Sequence, residues 1–322
     1  MMPVATELTG RQLVEGATSR LGSGAEARWI VEHALGAAGY PSPSPLSVSR
    51  LNELVPTSAS VLVESLVARR QAGEPLQYVL GVWPFRTLEL AVDRRVLIPR
   101  PETEQVVEVA LAELQRMMAE RVTAGTANRV PLAVDLGTGS GAIALSLAVE
   151  GGSRHGGLEV WATDSSSGAL DVARANLKAL RTLKASGPDA DRALLDRVRL
   201  RQGRWFAALP TDLVGSIDLL VSNPPYVSVG EYPDLEPVVR EWEPKEALVA
   251  EPSSDGSGGM ADVETIIAGA SRWMSGDGTL VVELAPHQAD AAAAMAQQGG
   301  FVDVRVEPDL AGRPRVLVAT VR

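Results

Sequence analysis

An asparagine set between an apolar strand and two prolines can grip a flat NH₂ group. The run Ile217-Asp218-Leu219-Leu220-Val221 leads straight into Ser222-Asn223-Pro224-Pro225-Tyr226. Proline has no N–H to give a sheet, and Pro224 steers Asn223 away from helical dihedrals. The stretch therefore predicts a stiff loop at the carboxyl end of a strand, which is where ligands bind in open α/β sheets. The Asn223 side-chain oxygen and a nearby backbone carbonyl can accept both hydrogens of a planar NH₂, while Tyr226 stacks on its flat face. The nitrogen lone pair then points out of the plane toward an electrophile above it. A plain rigid turn is the competing reading of this loop taken alone.

A second loop supplies a candidate for that electrophile. Val134-Asp135-Leu136-Gly137-Thr138-Gly139-Ser140-Gly141-Ala142 reads as strand, turn and helix, the context of a nucleotide-binding loop. Gly137, Gly139 and Ala142 satisfy the dinucleotide spacing G-x-G-x-x-G/A. Gly137, Gly139 and Gly141 fit instead the G-x-G-x-G turn of adenosylmethionine-dependent methyltransferases. Asp135 would repel a pyrophosphate but attract the ammonium of a methionine moiety. Asp164, ending Val160-Trp-Ala-Thr-Asp164, is placed to accept two ribose hydroxyls, a role common to both cofactors. The Asn-Pro-Pro-Tyr loop decides for methyl transfer, because hydride transfer has no use for an amide grip.

The elements around these loops follow from periodicity. Residues 7–80 read as short helices, one over about 58–71 with Val61, Leu62, Ser65 and Leu66 on its apolar face. Tyr40–Leu46 is a proline-punctuated connection. Gly73–Gly81, Trp83–Leu90 and Val96–Arg100 suggest a β-hairpin, and Pro101-Glu-Thr-Glu104 opens a helix with its carboxylates near the positive end. From Val130 strands and helices alternate, with one helix over Ala142–Glu150 and a short strand at Ala247–Ala250. Lys184–Asp196 is a hydrophilic insertion. The last two strands lack an intervening helix, so one runs antiparallel. The expected fold is α/β: a seven-stranded, mostly parallel Rossmann-like sheet behind a small helical domain. The expected boundaries are 1–80 for a helical, partner-binding domain, 81–100 for a hairpin linker and 101–322 for the catalytic domain.

Composition narrows the functional classes. The 322 residues carry a formal net charge of −10, which disfavours tight nonspecific binding to nucleic acid. The first 90 residues hold seven Lys and Arg against eight Asp and Glu, so the acidic excess belongs to the remainder. There is no cysteine, and His33, His155 and His287 show no ligand spacing, so no metal is expected. No apolar run is long enough to cross a bilayer, and the amino terminus does not read as a signal peptide. A cytoplasmic, monomeric enzyme is the expectation.

With both loops in view, the chain resembles the HemK/PrmC family of release factor glutamine methyltransferases. The resemblance rests on Glu74-Pro-Leu-Gln-Tyr-Val-Leu-Gly81, Ile98-Pro-Arg-Pro-Glu-Thr-Glu104, Asp135–Gly141, Asn223-Pro-Pro-Tyr226 and Gly259-Met-Ala261. It implies S-adenosylmethionine as cofactor and, as substrate, the glutamine of the Gly-Gly-Gln motif in class I peptide chain release factors. It also implies that Gly137, Thr138, Gly139, Ser140 and Gly141 wrap the cofactor, that Asp164 binds ribose and that Trp205 lies against adenine. Asn223 would orient the target amide, Pro224 would offer its carbonyl, and Pro225 and Tyr226 would pack beside them. Arg100, Glu102 and Glu104 would stand near the substrate, with helix capping the other reading of Glu102. Two departures are Arg204, where the family usually has an acidic residue, and Glu283-Leu-Ala285 in place of Glu-x-Gly. An adenine-N6 DNA or RNA methyltransferase shares Asn-Pro-Pro-Tyr and is the alternative, disfavoured by the acidic balance.

Overall fold

The computed structural model describes residues 8–39, 52–154, 157–184, 193–251 and 258–321; Tyr40–Leu46 and most of the insertion expected at Lys184–Asp196 lie outside them. The chain forms two compact units, 1–82 and 83–322. The first unit holds helices α1 (Gly10–Leu21), α2 (Gly24–Ala37), α3 (Thr57–Gln71) and α4 (Leu76–Leu80). Thr9 and Gln12 form a reciprocal capping box that starts α1, and Ser23 caps α2. Leu13, Ile30, Val31, Val63 and Leu66 are buried in this unit, and Arg70 ties α3 to Glu26 of α2 at 2.7 Å. The apolar face of α3 is Ala59, Val63, Leu66 and Val67. That face is rotated from the expected one: Val61 is exposed, because the i, i+4, i+7, i+8 spacing follows the other stripe.

The expectation of a strand within Gly73–Gly81 is corrected: Leu76–Leu80 is a helical turn whose Tyr78, Val79 and Leu80 are all buried. Such a continuous apolar run carries no period to tell strand from helix. Only β1 (Val82–Phe85) and β2 (Leu88–Ala91) form the hairpin. Val96–Arg100 belongs to no strand, and Pro99 within it has no ladder donor to give.

The second unit is built on a seven-stranded sheet in the order β5-β4-β3-β6-β7-β9-β8. Its strands are β3 (Leu132–Leu136), β4 (Glu159–Asp164), β5 (Val198–Gln202), β6 (Ile217–Ser222), β7 (Met274–Glu283), β8 (Val302–Pro308) and β9 (Pro314–Thr320). Only β9 runs against the rest, pairing antiparallel with both β7 and β8. All residues of β3 and β6 are buried, as expected for strands covered on both faces. Along β6, Leu219 and Val221 join one core with Val106, Leu111 and Leu145, while Leu220 joins the other with Ile266, Leu280 and Phe301. This period of two lets one strand supply both layers. Helix α5 (Pro101–Ala124) lines the first core and the helix Ala261–Trp273 the second.

Two further expectations change. The helix after the glycine turn is α6 (Ala142–Ser146), a π turn (Leu147–Gly151) and α7 (Gly152–Arg154), not one regular helix. Ala247–Ala250 is not a strand. A 3₁₀ turn covers Lys245–Ala247, and Val249 makes one isolated bridge to Val227. The bridge fastens the chain that follows Tyr226. β4 and β5 lie on one side of β3, and β6 and β7 on the other, so the strand order reverses beside β3. A crevice opens at the carboxyl ends of strands at such a reversal.

Candidate active site

The glycine turn leaves β3 at that reversal. Gly137, Gly139 and Gly141 have φ of +77°, +55° and +86°, left-handed values that carry the backbone from strand to helix. Gly137 also answers a close approach: a Cβ there would stand 3.3 Å from Cζ3 of Trp205. The N–H groups of Gly137 and Thr138 both donate to the Thr163 carbonyl of β4, at 2.9 Å each. Asn176, buried on α8 (Ser167–Lys184), donates to the carbonyls of Ser140 at 2.9 Å and Ala91 at 3.1 Å. One amide thus clamps the turn against the hairpin. Nothing in the local sequence around Asn176 pointed to this, because both partners are remote.

Asp135 lies beneath the turn and is fully buried. Its Oδ2 accepts from the Thr138 hydroxyl at 2.6 Å and from the Ala144 N–H at 3.2 Å, while Oδ1 has no protein partner. Burial pushes its pKa up to about 7 against the two hydrogen bonds that lower it. Asp164 ends β4 at the crevice. Its Oδ2 accepts from Gly139 N–H and its Oδ1 from Ser166 N–H, both at 2.9 Å, and burial raises its pKa. Each oxygen keeps a lone pair for a further donor.

Trp205 opens a 3₁₀ turn with φ of +48°, a conformation bulky side chains rarely adopt and one that clusters at functional sites. It lays the indole over Gly137, and the indole Nε1 is buried with no protein partner. Arg204, at the departure noted above, pairs with Glu251 at 2.6 Å and Asp262 at 2.8 Å.

Asn223 follows β6. Its Nδ2 donates to Thr103 Oγ1 at 3.1 Å, and that hydroxyl donates to Glu283 Oε2 at 2.7 Å. Burial pushes Glu283 up to about 7, opposed by the Thr103 hydrogen bond and by Arg315. The Tyr226 carbonyl accepts from Gln288 Nε2 at 3.0 Å. Burial, then the nearby Glu283 carboxylate, push the Tyr226 hydroxyl up to about 12, so it stays neutral. Gly259, with φ of +83°, lets the loop close, for a Cβ there would fall 2.3 Å from the Tyr226 carbonyl oxygen. Arg100 pairs with the buried Glu243 at 2.5 Å, whose other oxygen accepts from Ile98 N–H. Glu102, an acidic residue in the first turn of α5, faces Arg313 at 3.4 Å. Glu104 accepts from Arg86 N–H at 3.1 Å.

These elements enclose a cavity of about 420 Å³. Of the residues singled out from sequence, Gly137, Thr138, Gly139, Ser140, Asp164, Trp205, Asn223, Pro225 and Arg100 line it, joined by Thr103. Asp135, Gly141, Pro224, Tyr226 and Glu102 are not in its wall; Asp135 and Pro224 are buried behind it. The indole N–H of Trp205, which has no protein partner, and the free lone pairs of Asp164 suit a ligand carrying hydroxyls and amines. The residues present therefore fit a nucleoside bearing an amino acid.

Residues 12–81 match the family described as the PrmC N-terminal domain. A release factor glutamine methyltransferase of Burkholderia pseudomallei is 37% identical over 291 residues, covering 90% of this chain and 89% of that protein. Another from Cereibacter sphaeroides is 34% identical over 296 residues, covering 91% and 90%. A third, from Bordetella pertussis, is 37% identical over 291 residues, covering 90% and 92%. Similarity of this degree spans both units, and the chain belongs to the release factor glutamine methyltransferase family.

Proposed function

We propose that this chain transfers the methyl group of S-adenosylmethionine to the side-chain amide nitrogen of the glutamine in the Gly-Gly-Gln motif of class I peptide chain release factors. The observation that carries the reading is the pairing of Asn223 Nδ2 with Thr103, which leaves Oδ1 as the open acceptor of a side chain lining the cavity it shares with the glycine turn. Gly137 through Gly141, Asp164 and Trp205 would hold the cofactor, with Asp164 on the ribose, Trp205 against the adenine and Asp135 behind the turn toward the ammonium. When bound, S-adenosylmethionine supplies an electrophilic methyl group with its own leaving group.

The protein's task is then orientation. An amide nitrogen is a poor nucleophile because its lone pair is delocalised into the carbonyl. Asn223 Oδ1 and the Pro224 carbonyl would accept its two hydrogens, with Pro225 and Tyr226 packed beside it. Those hydrogen bonds strengthen as positive charge grows on nitrogen, and fixed geometry supplies much of the remaining acceleration. Arg100 would stand at the substrate side through its link to Glu243, and Glu102 nearby. The helical unit is proposed to contact the release factor, and the chain to act as a monomer in the cytoplasm. Among the described residues, no helix is long and apolar enough to cross a membrane.

The test uses methyl-labelled S-adenosylmethionine, a class I release factor, its Gln→Ala variant in the Gly-Gly-Gln motif, and the Asn223→Ala enzyme. Label should enter the wild-type factor from the wild-type enzyme and neither control. Label in DNA or RNA with none in the factor would overturn the reading.

A further inference from the structure

Thr103, in the first turn of α5, and Glu283, at the carboxyl end of β7, are only 4% and 1% exposed, yet both are polar. They form one hydrogen-bond chain with Asn223, which follows β6. A threonine hydroxyl has one hydrogen and two lone pairs. Thr103 spends its hydrogen on Glu283 Oε2, so toward Asn223 it has only a lone pair to offer. The group of Asn223 that faces it must then be the NH₂, which leaves Oδ1 as the open acceptor. We propose that Thr103 and Glu283 are positioning residues that hold the Asn223 amide in its substrate-accepting orientation, and that the ionised Glu283 carboxylate is the state that does so. The proposal rests on the amide-gripping role given to Asn223 above.

Protonation undoes the bias. A neutral Glu283 carboxyl donates to Thr103 Oγ1 and frees the threonine hydrogen for Asn223. Both flips of the Asn223 amide then find a partner, and the orientation is no longer dictated. The charged groups facing Glu283 come from several elements. Arg315 of β9, which donates to the Leu284 carbonyl at 2.9 Å, and Arg100 before α5 favour the ionised form; Glu102 of α5 opposes it. Tyr226, in the loop after β6, stays neutral across this range. Burial lifts Glu283 to about 7, so the change falls near neutral pH.

The test has two arms. The chain has four asparagines, Asn52, Asn128, Asn176 and Asn223, so selective ¹⁵N-asparagine labelling gives a readable side-chain spectrum, with Asn223 assigned by loss in Asn223→Ala. The Asn223 NH₂ signal should shift with a midpoint near pH 7 in the wild type and show no midpoint in Glu283→Gln. A signal that does not titrate, or one that still titrates in Glu283→Gln, overturns the proposal. In the second arm, Thr103→Val should lower kcat on the release factor about tenfold and Thr103→Ser should recover it to within about twofold. Affinity for S-adenosylhomocysteine should stay unchanged in both. Unchanged kcat in Thr103→Val, or no recovery in Thr103→Ser, also overturns it. If the wild type labels no release factor while the spectra behave as expected, the substrate reading fails and the positioning role stands.

Discussion

Asp135→Asn tests whether the carboxylate beneath the glycine turn is a burden that rises with pH. In the native protein burial lifts its pKa from 3.8 to about 7. A carboxyl whose folded pKa is raised holds its proton more tightly when folded, so the native state loses stability as pH climbs from the unfolded pKa to the folded one. For these two values the penalty is about 1.5 kcal/mol near pH 5 and about 4 kcal/mol at pH 8. Asparagine cannot ionise. Its oxygen can keep the donors Thr138 and Ala144 now give Oδ2, while its NH₂ falls where Oδ1 has no partner. That unmet NH₂ costs ~1–3 kcal/mol at every pH. The variant should therefore lie within about 1.5 kcal/mol of the wild type at pH 5, where the two costs nearly offset, and gain about 2.5 kcal/mol on it by pH 8, about 5–10 °C in melting temperature. Calorimetry without cofactor measures this. The relevant transition is the one S-adenosylhomocysteine raises in a parallel scan, since only the unit with the cavity binds it. Glu283 titrates alike in both proteins and cancels. If the separation between the two curves is the same at both pH values, Asp135 is not a buried carboxylate with a raised pKa and the reasoning fails.

Two other substitutions follow from the geometry. Gly259→Ala puts a Cβ 2.3 Å from the Tyr226 carbonyl oxygen and 2.9 Å from Gln288 Nε2, in a left-handed conformation; kcat should fall about tenfold or more while S-adenosylhomocysteine affinity, measured by calorimetry, holds within about twofold. Asp218→Ala removes a fully buried carboxylate that accepts from Arg121 at 2.6 Å, Arg129 at 2.6 Å and the Leu132 N–H at 2.8 Å. It should cost about 3 kcal/mol in urea unfolding, and an unchanged midpoint would show that this cluster does not hold the amino ends of β3 and β6.

Where the chain leaves a strand, local chemistry was legible. Leu136 into Gly137 and Ser222 into Asn223-Pro224 are breaks that few conformations satisfy, so both loops and the seven-stranded alternation could be read from sequence. Short apolar runs were not, and Leu76–Leu80 is a helical turn in which Tyr78, Val79 and Leu80 are buried in succession, which leaves no period to read. The stripe on α3 was misplaced for a related reason: several apolar rows competed, and packing in the helical unit chose Ala59, Val63, Leu66 and Val67. The wall of the cavity shows the same division. Gly137 to Ser140, Asp164 and Asn223, singled out by their own type and place, all line it. Asp135, read as drawing an ammonium directly or through water, uses Oδ2 to bind its own turn and keeps Oδ1 without a protein partner, which its local sequence did not foretell.

The amino-acid sequence by itself determined the sheet, the glycine turn and the Asn-Pro-Pro-Tyr loop, because glycine and proline restrict the backbone at the positions they occupy. The tertiary structure alone decided which way the Asn223 amide faces. Thr103 lies 120 residues from Asn223 and Glu283 180 residues from Thr103. The direction of a hydrogen bond is set by the partner that arrives, and here each partner arrives on a different element of the fold.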